Sequence, residues 1–263
     1  MTVFPSFIFQ MISPTVFFVG VVVALSASLL GVFVVGRRMA LISDALSHVA
    51  LPGLAAGLLL GFDPFLGALA VLFFSVLIIS SIERQGILSF ETLVGIFFTA
   101  ALAIGLLIIP EEHLLESLFG DIAKIGYLEI LETALLGFLI LFFIVFFFRE
   151  FSKITFSSDL AWGEGLNVNR LNLAFLLLLA LSVAMGIKII GALLMGALII
   201  LPASAAKNAA GSLKGLTLLS IIFGLISVFV GLFLAGAFQL PPGPMVVMVS
   251  AAIFGLSLFV RKA

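Results

Sequence analysis

The chain has 263 residues, 63% hydrophobic and 10% charged, with 12 basic and 13 acidic side chains and a net charge of −1. Soluble domains carry about 45–50% apolar and about 25% charged residues, so this composition, with a mean hydropathy of +1.43, excludes a water-soluble fold. The near-neutral charge leaves no basic footprint for nucleic acid, and zero cysteines exclude disulfide frameworks, zinc–thiolate sites and cysteine nucleophiles together.

The opening segment, MTVFPSFIFQMISP, has no Lys or Arg before its first apolar stretch and is read as mature chain rather than a cleavable signal. Apolar stretches then follow at roughly 15–35, 39–61, 64–82, 92–110, 127–149, 171–187, 190–206, 214–238 and 244–260. A helix crossing the hydrocarbon layer takes about 20 residues, so these stretches predict eight to nine spans, the segment 171–206 being either two spans or one broken element. Runs such as Leu139 to Phe148 are apolar on every side, which excludes the alternating strands of a β-barrel. Nine spans use roughly 180 residues and leave no contiguous length for a globular domain. Residues 1–263 therefore read as one all-α, multi-pass transmembrane domain. Gly61-Phe-Asp-Pro64 and Gln239-Leu-Pro-Pro242 are loosely similar turns, but no internal repeat is evident. Gly53 and Gly57 form a small-xxx-small pair suited to close helix packing. The nearest approach to a phosphate loop, Gly211-Ser-Leu-Lys214-Gly, lacks the Gly-Lys-Ser/Thr ending. Any nucleotide-driven work must come from another chain.

Lys and Arg collect on cytoplasmic loops. With the N-terminus outside and nine alternating spans, the inner side holds Arg37, Arg38, Arg84, Arg149, Lys153, Arg170, Lys207, Lys214, Arg261 and Lys262. Only Lys124 and Lys188 remain outside. The outer loop 111–126 is acidic, with Glu111, Glu112, His113, Glu116 and Asp121. It either concentrates cations or meets a delivery protein, or is acidic only because basic residues are kept from that side.

The second stretch carries the chemistry. Asp44 and His48 are four residues apart, which puts them on one helix face with Ser47 beside them. At about 1.5 Å per residue, Asp44 lies roughly 10 Å inward from Arg37 and His48 roughly 16 Å. Ionisable groups at that depth are expensive and mark ion paths or proton relays. Pro52 has no N–H for the carbonyl of His48, four residues earlier. A carboxylate, an imidazole, a hydroxyl and a carbonyl thus share one turn. Oxygen and imidazole ligands suit zinc, manganese or iron(II), whereas copper(I) prefers sulfur. Read by themselves, the residues also fit a buried Asp–His hydrogen bond that fixes helix packing.

Arg37-Arg38-Met39, Asp44-Ala-Leu-Ser47-His48 and Leu51-Pro52-Gly53 resemble the signature of the membrane permease subunits of zinc/manganese (and iron) ABC importers. Glu91-Thr92 with Gly95-Ile96-Phe97-Phe98 is similar to a further block of that family, with Thr92 standing where an Asp is usual. Leu118-Phe119-Gly120-Asp121, Gly191-Ala-Leu-Leu and Ala197-Leu-Ile-Ile-Leu-Pro202-Ala-Ser-Ala-Ala206 extend the likeness over roughly 15–260. The resemblance implies a homodimeric permease in a prokaryotic cytoplasmic membrane, carrying the metal as cargo between its halves, with no permanently bound cofactor. It assigns Asp44 and His48 to the metal path, with Ser47 and Pro52 in support. It also implies ABC ATPase subunits on the cytoplasmic side and an extracytoplasmic metal-binding protein outside.

Within the inner loop, about 150–170, the resemblance places a coupling element at Asp159-Leu-Ala-Trp162-Gly163-Glu164-Gly165. A lone Trp with glycines flanking Glu164 suits a compact docking turn, or a Trp anchoring a span end at the interface. The rival function is a self-contained, proton- or sodium-coupled metal carrier using Asp44 and His48 as a relay, which pseudo-symmetric halves would favour. A membrane metallo-hydrolase would need three protein ligands and a general base, and two histidines without a His-Glu-x-x-His motif do not supply them.

Overall fold

Asp63, Ser89, Asn167 and Ser212 each cap a helix by accepting a backbone N–H from two or three residues onward, and these caps punctuate the chain. The computed structural model describes residues 14–110, 113, 118 and 126–260, without the side chains of residues 188, 189, 193 and 194. Among the described residues the chain forms helices and no strands. They are α1 (Pro14–Gly36), α2 (Ala40–Val49), α3 (Leu51–Leu60), α4 (Pro64–Glu83), α5 (Phe90–Ile108) and α6 (Tyr127–Phe146). There follow α7 (Phe148–Phe156), α8 (Ser158–Gly163), α9 (Val168–Ile190), α10 (Ala192–Ala209), α11 (Leu213–Phe238) and α12 (Pro242–Ser257).

Seven of these segments are long and apolar enough to span a membrane, α2 and α3 counting together as Ala40–Leu60. Against the eight to nine spans expected, the α10 helix has 18 residues and α12 has 16, and neither is among those seven. The predicted break near 188–189 falls at Gly191, whose φ of 90° is open to glycine but costly for other residues. The chain folds back there: a Cβ on Gly186 would lie 2.1 Å from the Met195 sulfur. The two loosely similar turns share a physical logic. Gly61 (φ 72°) and Gln239 (φ 56°) each end a helix in the left-handed region, and Pro64 and Pro242 open the next.

The predicted close packing is real at Gly53, where a Cβ would lie 2.2 Å from the Gly67 carbonyl oxygen across the α3–α4 hairpin. The core is built mainly from α1, α9 and α10, with α4 and α2 next. Hydrogen bonds stitch helices together: Ser220 Oγ donates to the Ser28 carbonyl at 2.9 Å, Ser227 and Ser250 hydroxyls meet at 3.0 Å, and Asn208 Nδ2 donates to Ser257 Oγ at 3.0 Å. Arg84 reaches the Asn169 carbonyl at 3.3 Å, joining the α4–α5 turn to the α9 start. The α1–α2 corner lies at the same end, against α7.

Near that end Phe33, fully buried, meets Phe148, Phe151 and Phe175 edge-on at 5.3, 5.8 and 6.2 Å. Edge-to-face rings interlock quadrupoles as well as bury area. Phe33→Ala is expected to cost about 3–5 kcal/mol, read as a lowered Tm in detergent. An unchanged Tm would remove this cluster from the account of stability.

Candidate functional site

Five of the first turns' side chains on α2, from Ile42 to Ser47 excluding Asp44, are buried; Leu41 and Asp44 open outward. The His48 Nε2 lies 4.0 Å from Asp44 Oδ1, with side-chain exposures of 8% for the histidine and 49% for the aspartate. That is Coulombic range but too long for a hydrogen bond, so the expected alternative of an Asp–His bond locking the helices is not formed. The gap between them opens on the Asp44 side. The imidazole stands edge-on to Phe98 of α5 at 5.1 Å, and its Nδ1 is buried with no hydrogen-bond partner among the described residues.

The backbone under Asp44 is fixed from behind by α10. A Cβ on Gly196 would lie 2.8 Å from the Asp44 Cα and 3.0 Å from its N, so only glycine allows this approach. Two supporting residues behave differently from expectation. The Ser47 hydroxyl donates to the Ser43 carbonyl at 2.9 Å and is engaged within its own helix. Pro52 does deny the His48 carbonyl its N–H partner, yet the Ala50 N–H, bonded to Leu46 at 3.1 Å, also points at that carbonyl. The helix direction survives, because Ala50 keeps right-handed helical angles.

Among the described residues no three His, Asp or Glu side chains gather into a metal cage. On α5 the exposed side carries Glu91, Thr92, Gly95 and Thr99. Thr92, the departure from the family pattern, bonds the Ser89 hydroxyl at 2.8 Å within the α5 cap. Of the outer acidic loop, Glu111, Glu112, Glu116 and Asp121 lie outside the described residues. His113 follows α5, its N–H donating to the Pro110 carbonyl at 3.0 Å.

The inner loop folds into a short, capped unit. Ser157 accepts the Leu160 N–H at 3.3 Å and opens α8, while Gly165, at φ 82°, turns the chain out of it. Lys153 pairs with Glu164 across the unit, and Ala161 is buried beneath it. Asp159, Gly163, Glu164 and Gly165 are solvent-facing. Trp162 stands 76% exposed, joined by Leu160 at 72% and Phe156 at 77%. Sequence reading singled out Trp162 but missed Phe156 and Leu160, whose apolar character is unremarkable among 29 phenylalanines and many leucines. Ser157, directly before an acidic first turn, was the available capping signal.

An all-helical, multi-pass membrane bundle without a phosphate loop, bearing ionisable residues within a span and a capped turn at one end, is the architecture of a transport permease. The chain belongs to the ABC 3 transport family, whose model matches residues 9–261. It is similar to the high-affinity zinc uptake system membrane protein ZnuB of Haemophilus influenzae, 32% identical over 92% of this chain and 95% of that protein. It is also similar to the manganese import system permease protein ScaB of Streptococcus gordonii, 33% identical over 91% of this chain and 88% of that one. Among solved structures, PsaBC from Streptococcus pneumoniae in complex with Fab matches with a TM-score of 0.86 and 30% identity, over 98% of this chain and 96% of that chain. The chain is thus a multi-pass permease of the prokaryotic cytoplasmic membrane.

Proposed function

We propose that this permease moves zinc or manganese ions inward, past Asp44 and His48, powered by separate ATPase subunits. The observation that carries this reading is a half-exposed carboxylate 4.0 Å from a buried imidazole inside a membrane span, in a chain akin to zinc and manganese uptake proteins. The chemistry suits a cargo rather than a resident metal. Stored metals sit in cages of three or four protein ligands, and their histidines hold a further partner on the second ring nitrogen. Here there are two candidate ligands and His48 Nδ1 has no partner among the described residues. A weakly held ion can leave again.

A carboxylate facing hydrocarbon is strongly unfavourable. The half-exposed Asp44 side, together with the exposed α5 face of Glu91, Thr92, Gly95 and Thr99, is therefore read as the seam with a second copy of the chain. The ion would pass between the copies. At the inner end, the exposed Phe156, Leu160 and Trp162 form the anchor for an ATPase subunit, and the acidic outer loop receives ions from an extracytoplasmic binding protein. The permease itself breaks no covalent bond. Nucleotide and metal must bind inward- and outward-facing states unequally to give direction to the cycle.

The test is uptake of radioactive zinc or manganese into proteoliposomes with and without the ATPase subunits. ATP-dependent uptake is expected, and full-rate uptake without ATPase or ATP would sink the proposal in favour of a self-contained carrier. In the same preparation Trp162→Ala is expected to lower ATPase co-purification by about tenfold, as for an interface anchor whose loss costs more than about 1 kcal/mol. Undiminished co-purification would remove the docking role from the turn.

A further inference from the structure

Arg37 lies at the corner where α1 ends and α2 begins, and its guanidinium points away from solvent into the joint between three elements. Nε donates to Thr155 Oγ1 at 3.1 Å, Nη1 to Asn172 Oδ1 at 3.0 Å and Nη2 to the Phe151 carbonyl at 3.4 Å. The charge sits 4.6 Å from the Phe175 ring centre and 5.8 Å from that of Phe151, within cation–π range. No carboxylate among the described residues pairs with it. Burial pushes the guanidinium down to about 10, still fully charged at neutral pH. A partly buried cation held by neutral oxygens and ring faces is an unusual choice for mere packing, because an apolar side chain would fill the space without desolvating a charge.

The position of its partners is informative. Phe151 and Thr155 belong to α7, which runs directly into Ser157 and the α8 turn with its exposed Trp162. On the other side, Arg37 precedes Asp44 by seven residues: the corner Arg37–Met39, then the first turn of α2 from Ala40 to Asp44. Two further features stiffen the corner. A Cβ on Gly36 would lie 2.7 Å from Thr155 Cγ2, so the end of α1 rests on α7. Arg38 takes a φ of 60°, a conformation that a long side chain adopts only when its surroundings impose it.

We infer that Arg37 is a positioning residue that ties the docking turn to the metal-bearing helix, so that displacement of α7 moves Asp44 and His48. The inference rests on the functional reading above for the two ends of the link, and assigns the link itself. A lysine cannot reproduce it, since a single ammonium cannot serve three acceptors in one plane.

The experiment uses the complete transporter, permease with ATPase subunits and binding protein, in proteoliposomes supplied with Zn²⁺ or Mn²⁺. Arg37→Lys and Arg37→Met are compared with Thr155→Val and Asn172→Leu, which each remove one acceptor and leave the charge in place. All four are expected to retain ATPase co-purification and basal ATP hydrolysis. Metal moved per ATP hydrolysed should fall at least tenfold for the Arg37 variants and severalfold for the acceptor variants, with stimulation of hydrolysis by metal lost. An unchanged metal-to-ATP ratio in these variants would overturn the inference. So would a parallel fall of uptake and hydrolysis with the ratio and the metal stimulation preserved, which is the mark of a merely structural residue. Failure of the wild-type permease to transport with the ATPase would overturn the functional reading, an outcome separable from any Arg37 result.

Discussion

His48→Ala and the closer-fitting His48→Gln are expected to reduce ATP-driven zinc or manganese uptake by at least about 100-fold, the upper end of what loss of an outer-shell partner alone costs a metal site. Asp44→Asn, which keeps size and removes charge, should fall in the same range. The imidazole is held by the Phe98 edge and by a buried helix face, so Nε2 stays 4.0 Å from the Asp44 carboxylate, a gap that a cation can close by ligating both. Asp44 contributes the only negative charge of the pair, and in a span its attraction for a cation is weakly screened. His48→Gln guards against trivial unfolding, because it fills most of the ring's volume. Full uptake with unaltered metal dependence in both His48→Gln and Asp44→Asn would remove the pair from the ion path.

Gly196→Ala is expected to lower uptake about tenfold without touching any candidate ligand. The added methyl would lie 2.8 Å from the Asp44 Cα and 3.0 Å from its N, and backbone atoms cannot turn aside as a side-chain end can. Overpacking of this kind costs about 1–3 kcal/mol, and α2 must shift away from α10 to relieve it, taking Asp44 with it. Gly255→Ala, on a surface with no atom near the new methyl, is the matched control. Equal behaviour of the two variants in Tm and uptake would show that the α2–α10 contact does not set the site.

The spans were legible because continuous apolarity is a coarse signal that needs no tertiary information. Their ends were less so: the α9–α10 reversal falls at Gly191, inside an apolar run where Gly186, Gly191 and Gly196 look alike, and only packing shows which of them turns the chain. The Asp44–His48 pair was readable from helical spacing alone. The state of its neighbours was not, since three residues' separation places Ser47 near Asp44 but does not say that its hydroxyl bonds the Ser43 carbonyl. Contacts between distant segments were invisible: nothing local in Arg37 announces Thr155, 118 positions away, or Asn172, 135 away. Sequence reading used that arginine for the charge asymmetry of the loops, as a depth marker for Asp44 and within the family signature, and not as a link between distant helices.

Hydroxyl groups of this bundle make two kinds of hydrogen bond with different mechanical meaning. Ser47, Thr99, Ser152, Thr155 and Thr217 each donate to the carbonyl one turn back in the same helix, so neighbouring helices can slide without breaking those bonds. Ser220 with Ser28, Ser227 with Ser250 and Asn208 with Ser257 bridge different helices, and each such bond adds roughly 0.6 kcal/mol of resistance in a bilayer. All three bridges fall within α1, α10, α11 and α12, and none reaches α2 to α6. Four helices are thereby basted into a chassis, and the helix that carries Asp44 and His48 rests on it through the close approach of Gly196 in α10, with no hydroxyl bridge of this kind holding it there.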